Sequence, residues 1–173
     1  YQNIPNFLID APYSDDEESV TYYRGQLQKA LEFLEEKTGK KLDPERLREV
    51  AQLSRDAVDL FRQIIQLRRI VPSPLPFVHA AKCNDAINLG AGTPQTVLYL
   101  QNLKEEVEAR VAAGQGAIAQ ERHRVAWWGA MPFFDPKLSR WLADRHGVAV
   151  VADNFTLLPP YFSPEEPLAD PLR

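Results

Sequence analysis

The alternation of apolar and polar positions is clearest late in the chain. The run Val125-Ala126-Trp127-Trp128 stops at Gly129, and a second run, Val148-Ala149-Val150-Val151-Ala152, follows Gly147. Short, near-continuous apolar runs suit strands buried on both faces of a parallel sheet. Between them Asp135-Pro136 opens a helix, with proline at a first-turn position, and Gly147 closes it. Residues 122–156 therefore read as β-α-β, the repeating unit of parallel sheets. Ligands of such sheets bind beyond the carboxyl ends of the strands. Here those ends are Trp128 and Gly129, leading into Ala130-Met131-Pro132-Phe133-Phe134, and Asp153 with Asn154.

The earlier part of the chain carries helical periodicity. Residues 6–9 predict a short strand. Ser14-Asp15-Asp16-Glu17 has the hydroxyl and carboxylate spacing of a capping box, and the helix it starts runs to about Lys37. Leu27, Ala30, Leu31 and Leu34 make a stripe on one face of that helix, and Gly39 is the expected left-handed cap. Asp43 and Pro44 begin a second helix as N-cap and first helical residue. Its stripe, Leu47, Val50, Ser54, Ala57, Phe61 and Ile64, is widened by Leu53, Leu60 and Leu67. A stripe that wide predicts a globular bundle rather than a coiled coil. Pro72-Ser73-Pro74-Leu75-Pro76 stops the helix. A short helix is expected over 79–88, then a turn at Gly90-Ala91-Gly92. Thr93-Pro94 caps a fourth helix whose buried face is Val97, Leu100, Leu103, Val107 and Val111, ended by Gly114 and Gly116.

The predicted class is α/β: a short parallel sheet of Rossmann-like βαβ type with a large helical segment, helix-dominated. Three regions follow. Residues 1–13 are a strand lead-in from a preceding domain, 14–116 a helical segment, and 117–173 the start of a Rossmann-like domain. The chain opens without methionine and stops at Leu168-Ala169-Asp170-Pro171-Leu172-Arg173. Those ends suggest an interior piece of a longer protein.

Charge and composition narrow the partners. A net charge of -4 and a pI near 5.4 argue against nucleic acid, whose binders present a basic face. No apolar run approaches the ~18 residues of a membrane span, and no signal-peptide pattern opens the sequence. One cysteine, Cys83, cannot form an internal disulfide. A cytoplasmic setting is the expectation.

Candidate chemistry is sparse. Cys83 reads as a buried or free thiol. An iron–sulfur cluster needs about four thiolates, so Cys83 could be one ligand only if others came from elsewhere. His79, His123 and His146 have no metal-like partner at helical spacing, and His146 suits the negative end of a helix dipole. No Walker or nucleophile-elbow motif is present, and Gly90-Ala91-Gly92-Thr93 reads as a turn rather than a phosphate cradle. Arg122-His123-Arg124 precedes a strand, where it caps carbonyls or stays solvated. Trp127 and Trp128 face opposite sides of the sheet; one belongs to the core, and Trp128 is the better placed to line a pocket. Met131, Pro132 and Phe133, with Phe134, offer an apolar wall or, equally, packing between helix and sheet. Asp153 and Asn154 are the polar candidates, with turn formation as the plain alternative. The candidate substrate-binding set is thus Trp128, Gly129, Met131, Pro132, Phe133, Asp153 and Asn154. The residues alone do not reach a reaction, and no metal site is assigned.

Several blocks resemble a known family when taken together in order. They are Pro5-Asn6-Phe7-Leu8-Ile9-Asp10-Ala11-Pro12-Tyr13, Gln26-Leu27 with Phe33-Leu34-Glu35, Thr38-Gly39-Lys40-Lys41-Leu42-Asp43, Leu67-Arg68-Arg69, Val71-Pro72-Ser73-Pro74 and Gly92-Thr93-Pro94. The last are Glu121-Arg122-His123-Arg124-Val125-Ala126-Trp127-Trp128-Gly129-Ala130-Met131-Pro132 and Gly147-Val148-Ala149-Val150-Val151-Ala152-Asp153. The chain resembles the middle part of subunits of the 2-hydroxyacyl-CoA dehydratase and benzoyl-CoA reductase family. The resemblance implies Rossmann-like α/β domains, a paired homologous subunit and a [4Fe–4S] cluster held by cysteine thiolates. It also implies an ATP-dependent iron–sulfur activator protein that supplies a low-potential electron, and a CoA thioester substrate. Dehydratases of the family expel the 2-hydroxyl group by a ketyl-radical route, whereas reductases reduce an aromatic ring. The family's cluster cysteines lie on segments before and after this one, and Cys83 matches none of them. The resemblance therefore implies scaffold, subunit contact and part of the acyl-CoA pocket. A helical α/β binding or interaction module without redox chemistry stays open as the alternative.

Overall fold

The computed structural model describes residues 4–14, 16–129, 135, 137–154 and 156. Among these residues five helices and two strands follow in the order α1 (Glu17–Thr38), α2 (Pro44–Leu67), α3 (Phe77–Gly90), α4 (Pro94–Ala112), β1 (His123–Trp127), α5 (Leu138–His146) and β2 (Val148–Asp153). The fold is α/β and helix-rich, with a two-stranded parallel sheet among the described residues. The chain divides into two compact units, residues 1–51 with 167–173, and residues 52–166.

In the first unit the expected strand over residues 6–9 is absent; residues 4–13 have no regular structure. A strand needs a neighbour to take its backbone groups, and this segment is tied to helix α1 by side chains instead. The rings of Phe7 and Phe33 lie 5.5 Å apart, and the Tyr22 hydroxyl donates to Asp10 Oδ2 at 2.8 Å. The cap of α1 also differs from expectation. Asp16, two residues after Ser14, is the N-cap and accepts from the Ser19 amide at 2.8 Å. Ser14 donates to that carboxylate instead of accepting from a helix amide. Aspartate is as good a cap as serine and adds a charge at the positive end of the dipole. Gly39 takes the left-handed conformation, φ 68°, that ends α1. The stripe Leu27, Ala30 and Leu31 is half-covered, Leu34 is exposed, and no α1 residue is buried.

Helix α2 starts as its sequence demands. Asp43 Oδ1 accepts from the Glu45 and Arg46 amides at 2.9 and 3.3 Å. From Gln52 onward α2 belongs to the second unit, whose core it builds. Ala57, Phe61, Ile64 and Ile65 pack with Leu75, Ala80, Cys83, Leu100 and Val107. Leu60, Leu67, Ile87, Val97 and Leu103 flank that cluster, so the broad stripe of α2 is broad because α3 and α4 share it. The third helix is longer than expected at both ends. Thr93 caps α4 through a 3.3 Å bond from the Thr96 amide.

The connection from α2 to the sheet is held by side chains. Arg124 donates to the carbonyls of Ile70 and Arg69 at 3.3 and 2.9 Å and pairs with Glu121. Glu121 in turn accepts from the Ser73 amide at 2.6 Å. Arg124 thus caps carbonyls, one of the two roles its triplet offered. Strand β2 is covered as a central strand would be, but β1 is largely exposed. The expectation of burial on both faces holds for the second run only, because α3 and α5 contact β2. Gly147 ends α5 at φ 64°, and a Cβ there would lie 2.5 Å from the Gln120 carbonyl. Both the turn and the close approach of the chain leading into β1 therefore require glycine.

Candidate functional site

Parallel pairing brings the two strand ends together. The register runs from His123 against Val148 to Trp127 against Asp153, with an irregularity between Val125 and Ala126. Both strands consequently finish at one level, and the residues just beyond them meet. The Gly129 amide donates to Asn154 Oδ1 at 3.2 Å. Gly129 has φ 114°, a conformation side chains resist. This glycine lets the chain leave β1 and still reach Asn154.

The tandem tryptophans separate as alternation requires. Trp127 is half-buried, its ring 6.2 Å from that of Phe77. Trp128 is 81% exposed, at the mouth of the strand ends. The structure thus gathers Trp128, Gly129, Asp153 and Asn154 from the candidate set. Met131, Pro132 and Phe133 lie outside the described residues.

Asp153 has a role that its position at a strand end did not reveal. It is 1% exposed, and Arg68, fully buried, donates to its Oδ2 from Nη1 at 2.7 Å. The Thr156 hydroxyl donates to the same oxygen at 2.9 Å, and the Thr156 amide to Oδ1 at 2.9 Å. Arg68 also donates to the Val150 carbonyl from Nε and Nη2, at 3.1 and 2.6 Å, and its guanidinium lies 5.6 Å from the centre of the Phe77 ring. Burial pushes the Arg68 pKa down, and the Asp153 carboxylate opposes that shift. Asp153 is therefore committed to a buried frame that fixes the turn carrying Asn154. Any part it takes in ligand binding comes through that turn.

Arg68 was missed as a functional position, yet it had a signal. It falls four residues after Ile64 and seven after Phe61, just past the end of α2 and in line with its buried stripe. A charged residue continuing an apolar stripe points to a buried partner.

Cys83 is buried, with Sγ 3.1 Å from the His79 carbonyl. Burial pushes its pKa up to about 11, partly opposed by the Arg68 charge and a hydrogen bond with Tyr99. A neutral thiol packed in the core does not suit a metal or cluster ligand, which must be a thiolate. Among the described residues no group of three or more histidine, cysteine or acidic side chains could hold a metal ion. The residues present do not fit a [4Fe–4S] cluster.

The buried thiol makes a pH prediction. Cys83 is neutral when folded until about pH 11 but ionises from 9.0 once exposed. Its contribution to stability is complete below pH 9 and is lost as pH rises toward 11, because only the unfolded state then releases the proton. By pH 10 the loss is about 1.4 kcal/mol. Urea titrations of the protein and of Cys83→Ala at pH 8 and pH 10 check it: the alanine variant should lack that component of the pH slope. Equal slopes would contradict it.

A cavity of about 560 Å³ opens elsewhere in the second unit, between the start of α3, helix α5 and the amino-terminal half of β2. No described helix is long and apolar enough to cross a membrane.

The family model described as 2-hydroxyglutaryl-CoA dehydratase, D-component, matches residues 1–173. The chain is 28% identical over 161 residues to the (R)-phenyllactyl-CoA dehydratase alpha subunit of Clostridium sporogenes, covering 87% of this chain and 38% of that protein. It is 29% identical over 136 residues to the (R)-2-hydroxyglutaryl-CoA dehydratase subunit alpha of Acidaminococcus fermentans, covering 73% and 28%. With the (R)-2-hydroxyisocaproyl-CoA dehydratase alpha subunit of Clostridioides difficile it shares 26% over 133 residues, covering 73% and 33%. The matches thus span only 28% to 38% of the length of these curated relatives. All three are alpha subunits of dehydratases named for CoA thioesters, and the family model covers every residue of this chain, which belongs to the 2-hydroxyglutaryl-CoA dehydratase D-component family.

Proposed function

We propose that this chain is part of a subunit of an enzyme that removes water from 2-hydroxyacyl-CoA thioesters. The observation that carries the reading is the family match over the whole chain together with three relatives named as dehydratase alpha subunits. An alpha subunit implies a second, paired subunit. Reduction of benzoyl-CoA, the other chemistry of the resembling family, has no relative among these three to favour it.

In this proposal the strand ends hold the acyl thioester. Trp128 offers an exposed flat apolar surface. Asn154, fixed by Gly129 and by the Asp153 turn, has an amide group suited to a thioester carbonyl. Met131, Pro132 and Phe133, which follow in the sequence, are apolar residue types suited to the same acyl chain. A [4Fe–4S] cluster, where the family's chemistry requires one, takes its ligands from outside these residues. A separate ATP-dependent iron–sulfur activator supplies the electron.

The test uses the parent protein with its paired subunit, purified without oxygen. A 2-hydroxyacyl-CoA should lose water only when ATP and the activator are present, and the purified pair should contain iron. Turnover without ATP or iron would overturn the radical reading. Conversion of benzoyl-CoA but not of any 2-hydroxyacyl-CoA would overturn the dehydratase reading.

A further inference from the structure

The cavity beside β2 has a charge pattern that the strand-end site does not use. Its floor is apolar, formed by Leu75, Phe77 and the stretch Val148-Ala149-Val150. Its rim carries Lys82 from α3, Lys137 before α5 and Arg140 within α5, against one carboxylate, Asp144. None of those three cationic side chains makes an ion pair with Asp144 or with another described residue, so the cavity keeps an excess of positive charge. Three cations facing one cavity repel one another, and an anion placed among them removes that cost. The volume lies within the range of small-molecule sites, about 300–1,000 Å³.

We infer that this cavity binds phosphate groups, and that the ligand is the nucleotide end of the CoA thioester. The inference rests on the thioester reading above. The cavity meets β2 at residues 148–150, whereas the proposed thioester site lies past residue 153. At about 3.3 Å per residue that separation is on the order of 10–16 Å, a span that an extended pantetheine arm can cross. One molecule could then lie along β2 with its phosphates at the amino end and its acyl group at the carboxyl end. The apolar floor offers the adenine a surface.

The experiment compares Lys82→Ala, Arg140→Ala and the charge-preserving Arg140→Lys in the parent enzyme. The substrates are a 2-hydroxyacyl-CoA and the same acyl group on pantetheine, which lacks the nucleotide. Each alanine variant should raise KM for the CoA ester about tenfold, leave kcat unchanged and leave both constants for the pantetheine ester unchanged, with Arg140→Lys restoring most of the loss. In calorimetry, adenosine bisphosphate should bind the wild type and bind the alanine variants about tenfold more weakly. Unchanged KM and unchanged nucleotide binding would overturn the inference. Loss of inorganic phosphate binding with an unchanged KM for the CoA ester would assign the cavity to free phosphate and overturn its CoA role. If the wild type turns over neither ester, the dehydratase reading fails, and nucleotide binding alone then decides the fate of the cavity.

Discussion

Replacing Arg68 with alanine should lower the stability of the protein by about 3–5 kcal/mol, the cost of stripping one partner from a buried ion pair. The wild-type pair is fully enclosed: Arg68 is 0% and Asp153 1% exposed. Removing the guanidinium takes the buried cation away from the Asp153 carboxylate, which the Thr156 donors cannot replace in charge, and takes both side-chain donors from the Val150 carbonyl. Both groups sit where the segment just after α2 meets β2, enclosed away from water. The double substitution Arg68→Met with Asp153→Leu should recover much of the loss, because two apolar residues of similar volume need no compensation. Urea unfolding of the wild type, Arg68→Met, Asp153→Leu and the double variant gives the cycle, with Arg68→Ala measured beside them. A loss below about 1 kcal/mol for Arg68→Ala, the range of exposed pairs, would show that the frame is hydrated and that Asp153 is available to a ligand.

Trp128→Glu should do the opposite: leave the fold intact and damage function. Trp128 is 81% exposed and has no ring partner among the described contacts, so its replacement should change stability by no more than about 0.5 kcal/mol. A carboxylate in its place would be desolvated against the acyl chain and displace the thioester. The expected loss in kcat/KM for a 2-hydroxyacyl-CoA is about a hundredfold, or about 2.7 kcal/mol of transition-state binding. Iron content and assembly with the paired subunit should not change. Iron lost together with activity would make this end of β1 structural, and unchanged kinetics would place the acyl group elsewhere.

The elements were legible where one local rule dominates. Asp43-Pro44, Gly39 and Gly147 mark helix ends by chemistry that tertiary packing does not override, and all three act as expected. The parallel pair β1 and β2 followed from two apolar runs separated by a helix. The strand over residues 6–9 failed because a strand depends on a neighbour, and neighbours are not written in a local run of Phe, Leu and Ile. The cap of α1 was misplaced because Ser14 and Asp16 both satisfy cap chemistry, and only the backbone chooses between them. The meeting of the strand ends was legible: parallel register makes them converge, so Gly129 meeting Asn154 was implicit in the β-α-β pattern. The partner of Asp153 was not, because Arg68 lies 85 residues away. The cationic cavity was also hidden, since Lys82, Lys137 and Arg140 converge only after α3 and α5 pack beside β2.

In the proposed function the ends of β1 and β2 line the acyl-thioester site. A 2-hydroxyacyl-CoA analogue with a photoreactive group on its acyl chain tests it most directly. It would be irradiated in the assembled parent enzyme without oxygen and its attachment points mapped by mass spectrometry. Labelling is expected on the peptide that begins at Trp128 and on the one containing Asn154, abolished by excess unlabelled substrate. Competable labelling confined to α1, α2 or the paired subunit would contradict it.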